Sequence, residues 1–364
     1  MDDSLASFIE DVCGDSHLRV EDTLGDGFVR LRHSEAERRQ AKHDIRSTED
    51  VIIEMLRNAR DAGARNIFLA LSREESKRFI CMIDDGNGVP KHLHELIFQP
   101  RVTSKLDAMH VDKWGVHGRG MALFSIKENA CDTKIVASQP GKGSSFFVEV
   151  DLNTLSEKTD QSTMPVFSFS ETGDIQIRGP HNINRVVSEF AYDSKEQCHV
   201  FLGSPSEIVA CIYLFGEASL SKTERAFCES PDTLPLVKQL VTASDAAELA
   251  QLSSKLGLSI SERSARRVLD GEITPALDVL EHLSIENELN QTKKKTRQND
   301  IDKMLNKDRR GLRITPEDSR EFERLIKKAY QDLAKKYYLE NDIEPKITVS
   351  KNHIDIHIDI EKIR

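Results

Sequence analysis

Three polar side chains stand at helical spacing in the segment EMLRNARDAGA, which begins at Glu54. Glu54, Asn58 and Asp61 are four and three residues apart, so a helix through the segment places all three on one face. A carboxylate can take a proton from an attacking water or orient it, and an amide oxygen can ligate a hard cation such as magnesium. The spacing predicts either a solvated helix face or the floor of a site, in which Asp61 is expected to be mainly structural.

A second group is the turn DDGNGVP, which follows the apolar run FICMI. Asp84, at the end of a predicted strand, can accept a hydrogen bond from the exocyclic amine of a base. Gly86 and Gly88 let a flat ring approach the backbone, because neither residue carries a Cβ. This turn predicts the base end of a nucleotide site.

Two further glycine-rich groups follow. Gly115, Gly118 and Gly120 precede a predicted helix that begins near Met121. The amides of such a loop can surround anionic oxygens, and the helix dipole adds to the attraction. The turn GKGS, which ends at Ser144, is the last group. Each group alone is common in ordinary turns, but the order of all four predicts a nucleotide site.

Together the four groups resemble the GHKL ATP-binding domain, the superfamily of gyrase B, the ninety-kilodalton chaperones, histidine kinases and MutL. The resemblance is carried by EMLRNARDAGA, DDGNGVP, GVHGRGMAL and GKGSSFFVEV, within residues 40–152, and the segments DAGA and TSK are most similar to MutL. It implies a Bergerat-type α/β sandwich that binds ATP with Mg2+.

The resemblance also implies roles for single residues. Glu54 corresponds to the catalytic glutamate of the hydrolysing members, Asn58 to the magnesium-binding asparagine, and Asp84 to the adenine-binding aspartate. The other residues implied to contact the nucleotide are Gly86, Gly88, Thr103, Ser104, Lys105, Gly115, Gly118, Arg119, Gly120 and Ser144.

This sequence departs from the family pattern at several positions. Asp85 stands where an asparagine is common, and Ser144 stands where the family usually has a threonine. Gyrase B and MutL complete their site with a lysine from a following domain. No residue here is identified as that lysine; Lys195 and Lys222 are the candidates.

The elements that position these residues follow from the pattern of the chain. A capped amphipathic helix is predicted over residues 47–62, then a hairpin of NIFLALS and FICMID, a short helix at MALFSIKENA, and two strands at TKIVAS and SFFVEVDL. Helices followed by hairpin-linked strands predict the α+β class, with helices on one face of a mixed sheet.

Four regions are predicted along the chain. Residues 1–40 form an N-terminal helical extension, and residues 41–155 form the ATP-binding domain. Residues 160–228 form a smaller α/β middle segment. Residues 229–364 form a mainly helical region that ends in a β-hairpin.

The region 249–340 offers a possible DNA contact. Residues 249–284 are similar to the helix-turn-helix of repressors, with Ser261–Leu269 as the recognition helix and Arg263, Arg266 and Arg267 available for DNA. A generic helical bundle is the alternative. Residues 291–340 carry 15 Lys and Arg against 9 Asp and Glu, so they could also contact phosphates.

Composition limits the class of protein. The 364 residues carry a formal net charge of −10, which argues against nucleic-acid binding over the whole surface. No apolar run approaches the roughly 20 residues that span a bilayer, and the first residues are acidic rather than basic and apolar. The six scattered cysteines suggest neither a disulfide framework nor a zinc site, so we expect a cytoplasmic protein without a membrane partner.

Three functions stay open at this point. The first is a slow magnesium-dependent ATPase, in which lid closure over residues 103–120 switches contacts with a protein partner or DNA and in which an ATP-dependent homodimer is possible. The second is a kinase of the histidine or serine type that acts on a separate partner, because no phosphoacceptor box surrounds His33. The third is a nucleotide-gated DNA-binding regulator with little hydrolysis.

Overall fold

The computed structural model describes residues 20–32, 34–104, 110–112, 115–117, 120–169, 175–228, 230–282, 316–337, 345–349 and 354–358. The chain divides into two compact units, Met1–Glu288 and Leu289–Arg364, and each unit is described by itself.

The elements of the first unit alternate between strands and helices. Its strands are β1 (Val20–Gly25), β2 (Phe28–Leu31), β3 (Asn66–Glu74), β4 (Lys77–Asp84), β5 (Val102–Thr103), β6 (His110–Asp112), β7 (Gly115–His117), β8 (Asp132–Ser138), β9 (Ser144–Asp151), β10 (Val166–Phe169), β11 (Ile175–Arg178) and β12 (His199–Gly203). Its helices include α1 (Glu35–Asp44), α2 (Thr48–Asp61), α3 (Ala122–Asn129), α4 (Ile183–Asp193), α5 (Pro205–Ser219), α6 (Lys222–Ala226), α7 (Ala246–Lys255) and α8 (Glu262–Leu269).

Helix α2 forms where the sequence predicts it. The Ser47 hydroxyl accepts a hydrogen bond from the N–H of Asp50 at 3.3 Å, and the Asp50 carboxylate accepts one from the N–H of Ser47 at 2.9 Å. Gly63, at φ +75°, follows the last turn in a conformation that glycine adopts without strain. The apolar side chains of the helix are buried: Val51, Ile52, Met55, Leu56 and Ala59.

A five-stranded mixed sheet organises the unit, in the order β12-β3-β4-β9-β8. Strands β3, β4, β9 and β8 are antiparallel neighbours, and β12 joins β3 in parallel. The β3–β4 hairpin is longer than predicted, because both strands extend into REESKR and leave only Glu75 and Ser76 between them. The predicted α+β sandwich with a mixed sheet is confirmed.

One face of the sheet carries the helices that the sequence predicts. Leu56 of α2, Ile126 of α3 and Phe190 of α4 belong to one apolar core with Ile67 of β3 and Val148 of β9. Because successive strand residues point to opposite faces, the side chains of Phe68 and Ile83 lie on the other face of the sheet.

Helices also cover the second face, which the sequence analysis did not predict. Ile212 of α5, Leu249 of α7 and Ala265 of α8 pack with Phe68 and Ile83 in a second core. The sheet is therefore the middle layer of three. We call the segment 205–269, which provides this cover, the second-face layer.

The turn between α7 and α8 lies directly on the sheet. The Ser145 hydroxyl of β9 donates a hydrogen bond to the carbonyl oxygen of Leu256 at 2.7 Å. Gly257, at φ +81°, comes so close that an added Cβ would lie 3.2 Å from the Cys81 sulfur and from a methyl of Val136. The absence of a side chain at this position permits the contact.

The prediction of a helical segment over residues 1–40 is wrong for residues 20–31. Strands β1 and β2 form an antiparallel hairpin there, and β5 pairs with β2 to give a three-stranded sheet. The sequence GDG is the turn of this hairpin, with Gly25, Asp26 and Gly27 all at positive φ. Helix α1 follows from residue 35, and residues 1–19 lie outside the described residues.

The structure does not divide at the predicted boundaries of the middle and C-terminal regions. Strand β12, from the middle segment, belongs to the central sheet. Its residues 199–203 pair with residues 66–70, and it lies at one edge of the sheet. The first unit continues to Glu288 rather than ending near residue 228. Residues 160–228 and the first part of the C-terminal region therefore share a unit with the predicted ATP-binding domain.

The second unit contains a helix and a hairpin, as predicted. Helix α9 (Pro316–Tyr337) carries the expected pair of Lys327 with Glu323 at 3.0 Å. Strands β13 (Lys346–Val349) and β14 (Ile354–His357) are antiparallel. Across both units, no helix among the described residues combines the length and apolar character needed to cross a bilayer.

Candidate functional site

A cavity of about 1060 Å³ opens on the first face of the sheet. Its volume lies at the upper end of the roughly 300–1,000 Å³ that ligand sites usually occupy. Its walls come from α2, the end of β4, β5, the start of α3, the β1–β2 turn and β9. The sequence-predicted residues that line it are Glu54, Asn58, Asp61, Asp84, Gly88, Thr103, Ser104, Gly120 and Ser144.

Helix α2 supplies the polar wall of the cavity. Glu54 accepts a hydrogen bond from Nη1 of Arg57 at 2.5 Å, within an ion pair. Asn58 lies one turn further on, and its buried Nδ2 has no hydrogen-bond partner among the described residues. Asp61 pairs with Arg60 at 3.0 Å, as expected for a side chain that is mainly structural.

A carboxylate and a hydroxyl meet at the other end of the cavity. Asp84 is only 2% exposed, and its Oδ1 accepts a hydrogen bond from the N–H of Gly86 at 2.8 Å. The strand register places Asp84 opposite Ser144, which is also buried. The Ser144 hydroxyl is 3.0 Å from the hydroxyl of Ser138, which also accepts the N–H of Val89 at 2.7 Å. This end is suited to an uncharged ring with hydrogen-bond donors.

The two glycines after Asp84 allow the loop to pack tightly. A Cβ on Gly88, which has φ +70°, would lie 2.0 Å from the carbonyl oxygen of Gln139. A Cβ on Gly86 would lie 2.8 Å from the carbonyl oxygen of Ala62, and Gly86 is not among the cavity-lining residues. Gly86 thus supports the wall from behind, whereas Gly88 lies on it.

Asp85 has a structural role that sequence reasoning missed. One oxygen of its carboxylate accepts the N–H groups of Arg65 and Asn66 at 2.7 and 2.8 Å, and the other accepts the Asn66 amide at 2.7 Å. The carboxylate therefore fixes the end of β4 to the start of β3. The departure from asparagine at this position leaves the cavity wall in place.

The opposite end of the cavity carries backbone groups and hydroxyls. Thr103 and Ser104 line it beside Gly120, whose carbonyl oxygen accepts the N–H of Arg101 at 2.8 Å. Helix α3 begins here, and its N-cap residue Met121 makes no side-chain hydrogen bond to the first amides. Amides at such a helix start are donors for an anion.

Part of the predicted lid cannot be assigned to the cavity. Lys105, Gly118 and Arg119 lie outside the described residues. Gly115 is in β7, where it pairs with Asp112 of β6.

The part of the cavity lining that the structure describes carries more negative than positive charge. Among the described residues that line it, Arg57 is the one Lys or Arg. The lining carboxylates are Asp26, Asp44, Asp50, Glu54, Asp61 and Asp84. A highly charged anion would enter this cavity with a bound cation, because the carboxylates would otherwise repel it.

The turn that leads to Ser144 is connected to the second-face layer. Lys142 accepts the N–H of Leu236 through its carbonyl oxygen at 2.9 Å, and its Nζ donates to the carbonyl oxygen of Asp232 at 2.7 Å. Since Lys142 is two residues from Ser144, this end of the cavity and the second-face layer are joined by direct hydrogen bonds.

Comparisons with known proteins agree with the motifs. Residues 43–154 match the family described as histidine kinase-, DNA gyrase B-, and HSP90-like ATPase. DNA mismatch repair protein MutL of Thermus aquaticus is 36% identical over 95 residues, which are 26% of this chain and 17% of that protein. MutL of Staphylococcus aureus strain Newman is 32% identical over 123 residues, 33% of this chain and 18% of that protein. The chain thus spans less than a fifth of these relatives, and the resemblance predicted from the motifs is confirmed for this region.

Proposed function

Because residues 43–154 are a GHKL-type ATPase domain, we propose that this protein binds ATP with Mg2+ in the cavity and hydrolyses it slowly. The observation that carries the proposal is the arrangement within one cavity. Asp84 and Ser144 lie at one end, and Glu54 and Asn58 lie on the wall formed by α2.

Adenine is proposed to occupy the end with Asp84. The buried carboxylate accepts the exocyclic amine, and the Ser144 hydroxyl completes the polar contact. Gly88 lets the ring approach, with Gly86 supporting the loop behind it. An acceptor at this position disfavours guanine, which presents a carbonyl oxygen in place of the amine.

The phosphates are proposed to lie at the start of α3. Amides of this helix, the hydroxyls of Thr103 and Ser104 and the backbone of Gly120 are the described groups that would bind them. Lys105, Gly115, Gly118 and Arg119 are the remaining proposed contacts, supported by the sequence resemblance alone.

Asn58 is the proposed protein ligand of magnesium. The fit is supported by its side-chain amide on the cavity wall, whose oxygen is the kind of ligand that magnesium takes, and by the surrounding oxygen-rich groups. Magnesium is usually held by few protein oxygens together with phosphate oxygens and water, and it neutralises charge on the phosphates. The acidic lining is consistent with a nucleotide that enters with its cation.

Glu54 is the proposed catalytic residue. Its carboxylate orients a water molecule whose oxygen attacks the terminal phosphorus while the bond between that phosphorus and the bridging oxygen breaks. The water proton passes to the carboxylate and then to solvent. ADP leaves with the electron pair of the broken bond, and inorganic phosphate is the second product.

The ATP cycle is proposed to control partner contacts. Closure of residues 103–120 over the nucleotide would alter the exposed surface of the unit. The hydrogen bonds of Lys142 to Asp232 and Leu236 give the second-face layer a direct connection to the base end. A cytoplasmic protein partner, or a second copy bound only in the ATP form, fits this scheme.

Calorimetry and phosphate release test the proposal. Wild type should bind MgATP and release phosphate in a magnesium-dependent reaction, and Asn58→Ala should lose most of the magnesium-dependent part of the affinity. Glu54→Ala should bind but not hydrolyse. Equal phosphate release by wild type and Glu54→Ala would remove the catalytic role. Transfer of radiolabel from ATP to a protein, rather than to water, would indicate the kinase alternative.

DNA binding controlled by nucleotide is a second candidate function. Helix α8 buries Ala265 and Val268 in the second-face layer and exposes Arg263, Arg266 and Arg267. Two of these form exposed ion pairs, Arg266 with Glu262 and Arg267 with Glu272. A DNA phosphate could therefore replace the carboxylate as the partner of either arginine. Salt-dependent DNA binding that is weakened by Arg266→Glu would support this function, and no binding at low salt would exclude it.

A further inference from the structure

Arg57 is buried beside the proposed catalytic carboxylate. Its side chain is 3% exposed, although it belongs to a helix that borders an open cavity. Its Nη1 donates to Oε1 of Glu54 at 2.5 Å, and both residues line the cavity. Glu54 keeps 20% of its side chain exposed and lines the cavity, so its side chain is held by Arg57 and is still accessible from the cavity.

This ion pair differs from an ordinary pair on a helix surface. Exposed pairs at this spacing contribute little to stability, because water screens them. A buried guanidinium has lost much of its hydration, and a carboxylate partner is the usual compensation. Arg57 is also the one basic side chain among the described cavity-lining residues, and it is directed at Glu54 within a ring of other carboxylates.

We propose that Arg57 is the positioning residue for Glu54: its guanidinium fixes the carboxylate on the cavity wall and keeps it ionised, so that the carboxylate orients the attacking water. The inference rests on the proposed ATPase function and adds the residue that prepares the base for it. The planar guanidinium gives direction as well as charge, which the ammonium of a lysine does not.

The charges around Glu54 determine the direction of the pH effect. On its own helix the charged groups that line the cavity are Asp50, Arg57 and Asp61. The other lining carboxylates are Asp26 in the β1–β2 turn, Asp44 of α1 and Asp84 of β4. Among these described lining groups, the positive charge of Arg57 favours the ionised form of Glu54, and the carboxylates favour its protonation. Without Arg57, Glu54 is protonated at higher pH and the acid limb of the rate profile moves upward.

The experiment compares Arg57→Met and Arg57→Lys with wild type. Arg185→Met is the matched control, because Arg185 also pairs within its helix, with Glu189 at 2.8 Å, and does not line the cavity. Two measurements are made on each protein: the pH profile of magnesium-dependent phosphate release at saturating ATP, and a carbon-13 NMR titration of the Glu54 carboxylate without nucleotide.

Arg57→Met should lower kcat by at least about tenfold, with KM for ATP within about threefold of wild type, because lost orientation acts on the chemical step. The acid limb and the Glu54 titration should both move up by about one pH unit or more. Arg57→Lys should return the acid limb towards its wild-type position while restoring kcat only in part. Arg185→Met should match wild type in both measurements.

Two outcomes would overturn the inference. One is a Glu54 titration that is the same in wild type and Arg57→Met. The other is a folded Arg57→Met protein with wild-type kcat or an unmoved acid limb. A wild-type protein that binds no MgATP would instead contradict the proposed function, and the nucleotide-free NMR titration would still decide whether Arg57 holds Glu54 ionised.

Discussion

Asp84 and Ser144 are register partners on the neighbouring strands β4 and β9. A carboxylate and a hydroxyl that lie far apart in the chain therefore share one buried end of the cavity. Because antiparallel pairing sets both positions at once, the proposed adenine contact depends on the sheet and not on a flexible loop.

Asp84→Asn should reduce MgATP affinity by about tenfold to a hundredfold. An amide can accept one hydrogen bond in place of the carboxylate, but the charge is lost and the amide must also satisfy Gly86, so a buried contact is weakened or left unpaired. Calorimetric titration measures the change. Asp132→Asn, on the edge strand β8 and paired with Lys134, should bind like wild type. Undiminished affinity of a folded Asp84→Asn protein would contradict adenine binding at this end.

Gly88→Ala should destabilise the protein far more than Gly271→Ala. Both glycines have φ +70°, so both substitutions bring the same type of backbone strain. An added Cβ meets the Gln139 carbonyl oxygen at 2.0 Å in the first case and nothing within 4 Å in the second. We expect a loss of about 1 kcal/mol for Gly271→Ala and more than about 3 kcal/mol for Gly88→Ala. Urea unfolding measures both, and equal losses would show that the loop does not pack on residue 139.

The buried cysteines should resist alkylation while the second-face layer is in place. Burial raises the pKa of the Cys81 thiol to about 12 and that of Cys211 to about 12, so almost no reactive thiolate is present. Cys131 is exposed. Brief treatment with iodoacetamide followed by peptide mass spectrometry should label Cys131 in the native protein and the other two only after unfolding. Labelling of Cys81 at the rate of Cys131 would mean that the α7–α8 turn, which covers it, is not docked.

Glu37→Gln should reduce stability at neutral pH and not in acid. The N–H of Ser34 and, after it, the Arg101 guanidinium hold the pKa of Glu37 below its ordinary value. A lowered folded-state pKa gives stability that is present above the unfolded value of about 4.3 and is lost as pH falls through the folded value. The loss at pH 7 should be about 1 kcal/mol or less, because Glu37 is largely exposed.

Urea unfolding of this variant at neutral pH and at about pH 3 measures the effect. Glu35→Gln is the control, since Glu35 lies in the same helical turn and pairs with the exposed Arg39 at 3.5 Å. A stability difference between wild type and Glu37→Gln that is independent of pH would contradict the role of the charge.

Local features of the site could be predicted from the sequence, because they depend on neighbours in the chain. The Ser47–Asp50 cap, Gly63 at the helix end and the spacing of Glu54 and Asn58 all lie within one helix. The β3–β4 hairpin likewise needs only two adjacent strands. The hairpin before α1 could not be predicted from its residues, since its turn at residues 25–27 joins strands that are short and weakly apolar.

A signal for burial on both faces of the sheet was present but was not used. The run IFLA in β3 is apolar at every position, so successive side chains point to opposite sides and both sides need cover. The identity of the cover could not be read from this run, because the residues that provide it lie beyond residue 204.

Short-range spacing and residue type are enough to predict helix α2 with its polar stripe, the glycine turns and the family resemblance of residues 43–154. The pairing of β12 with β3, the cover of Cys81 by Leu256 and the burial of Arg57 against Glu54 are visible in the folded chain alone. Burial and long-range pairing arise from the packing of segments that are distant in the sequence. A spacing of three residues shows that two side chains can meet, and the packing around them decides whether water separates them.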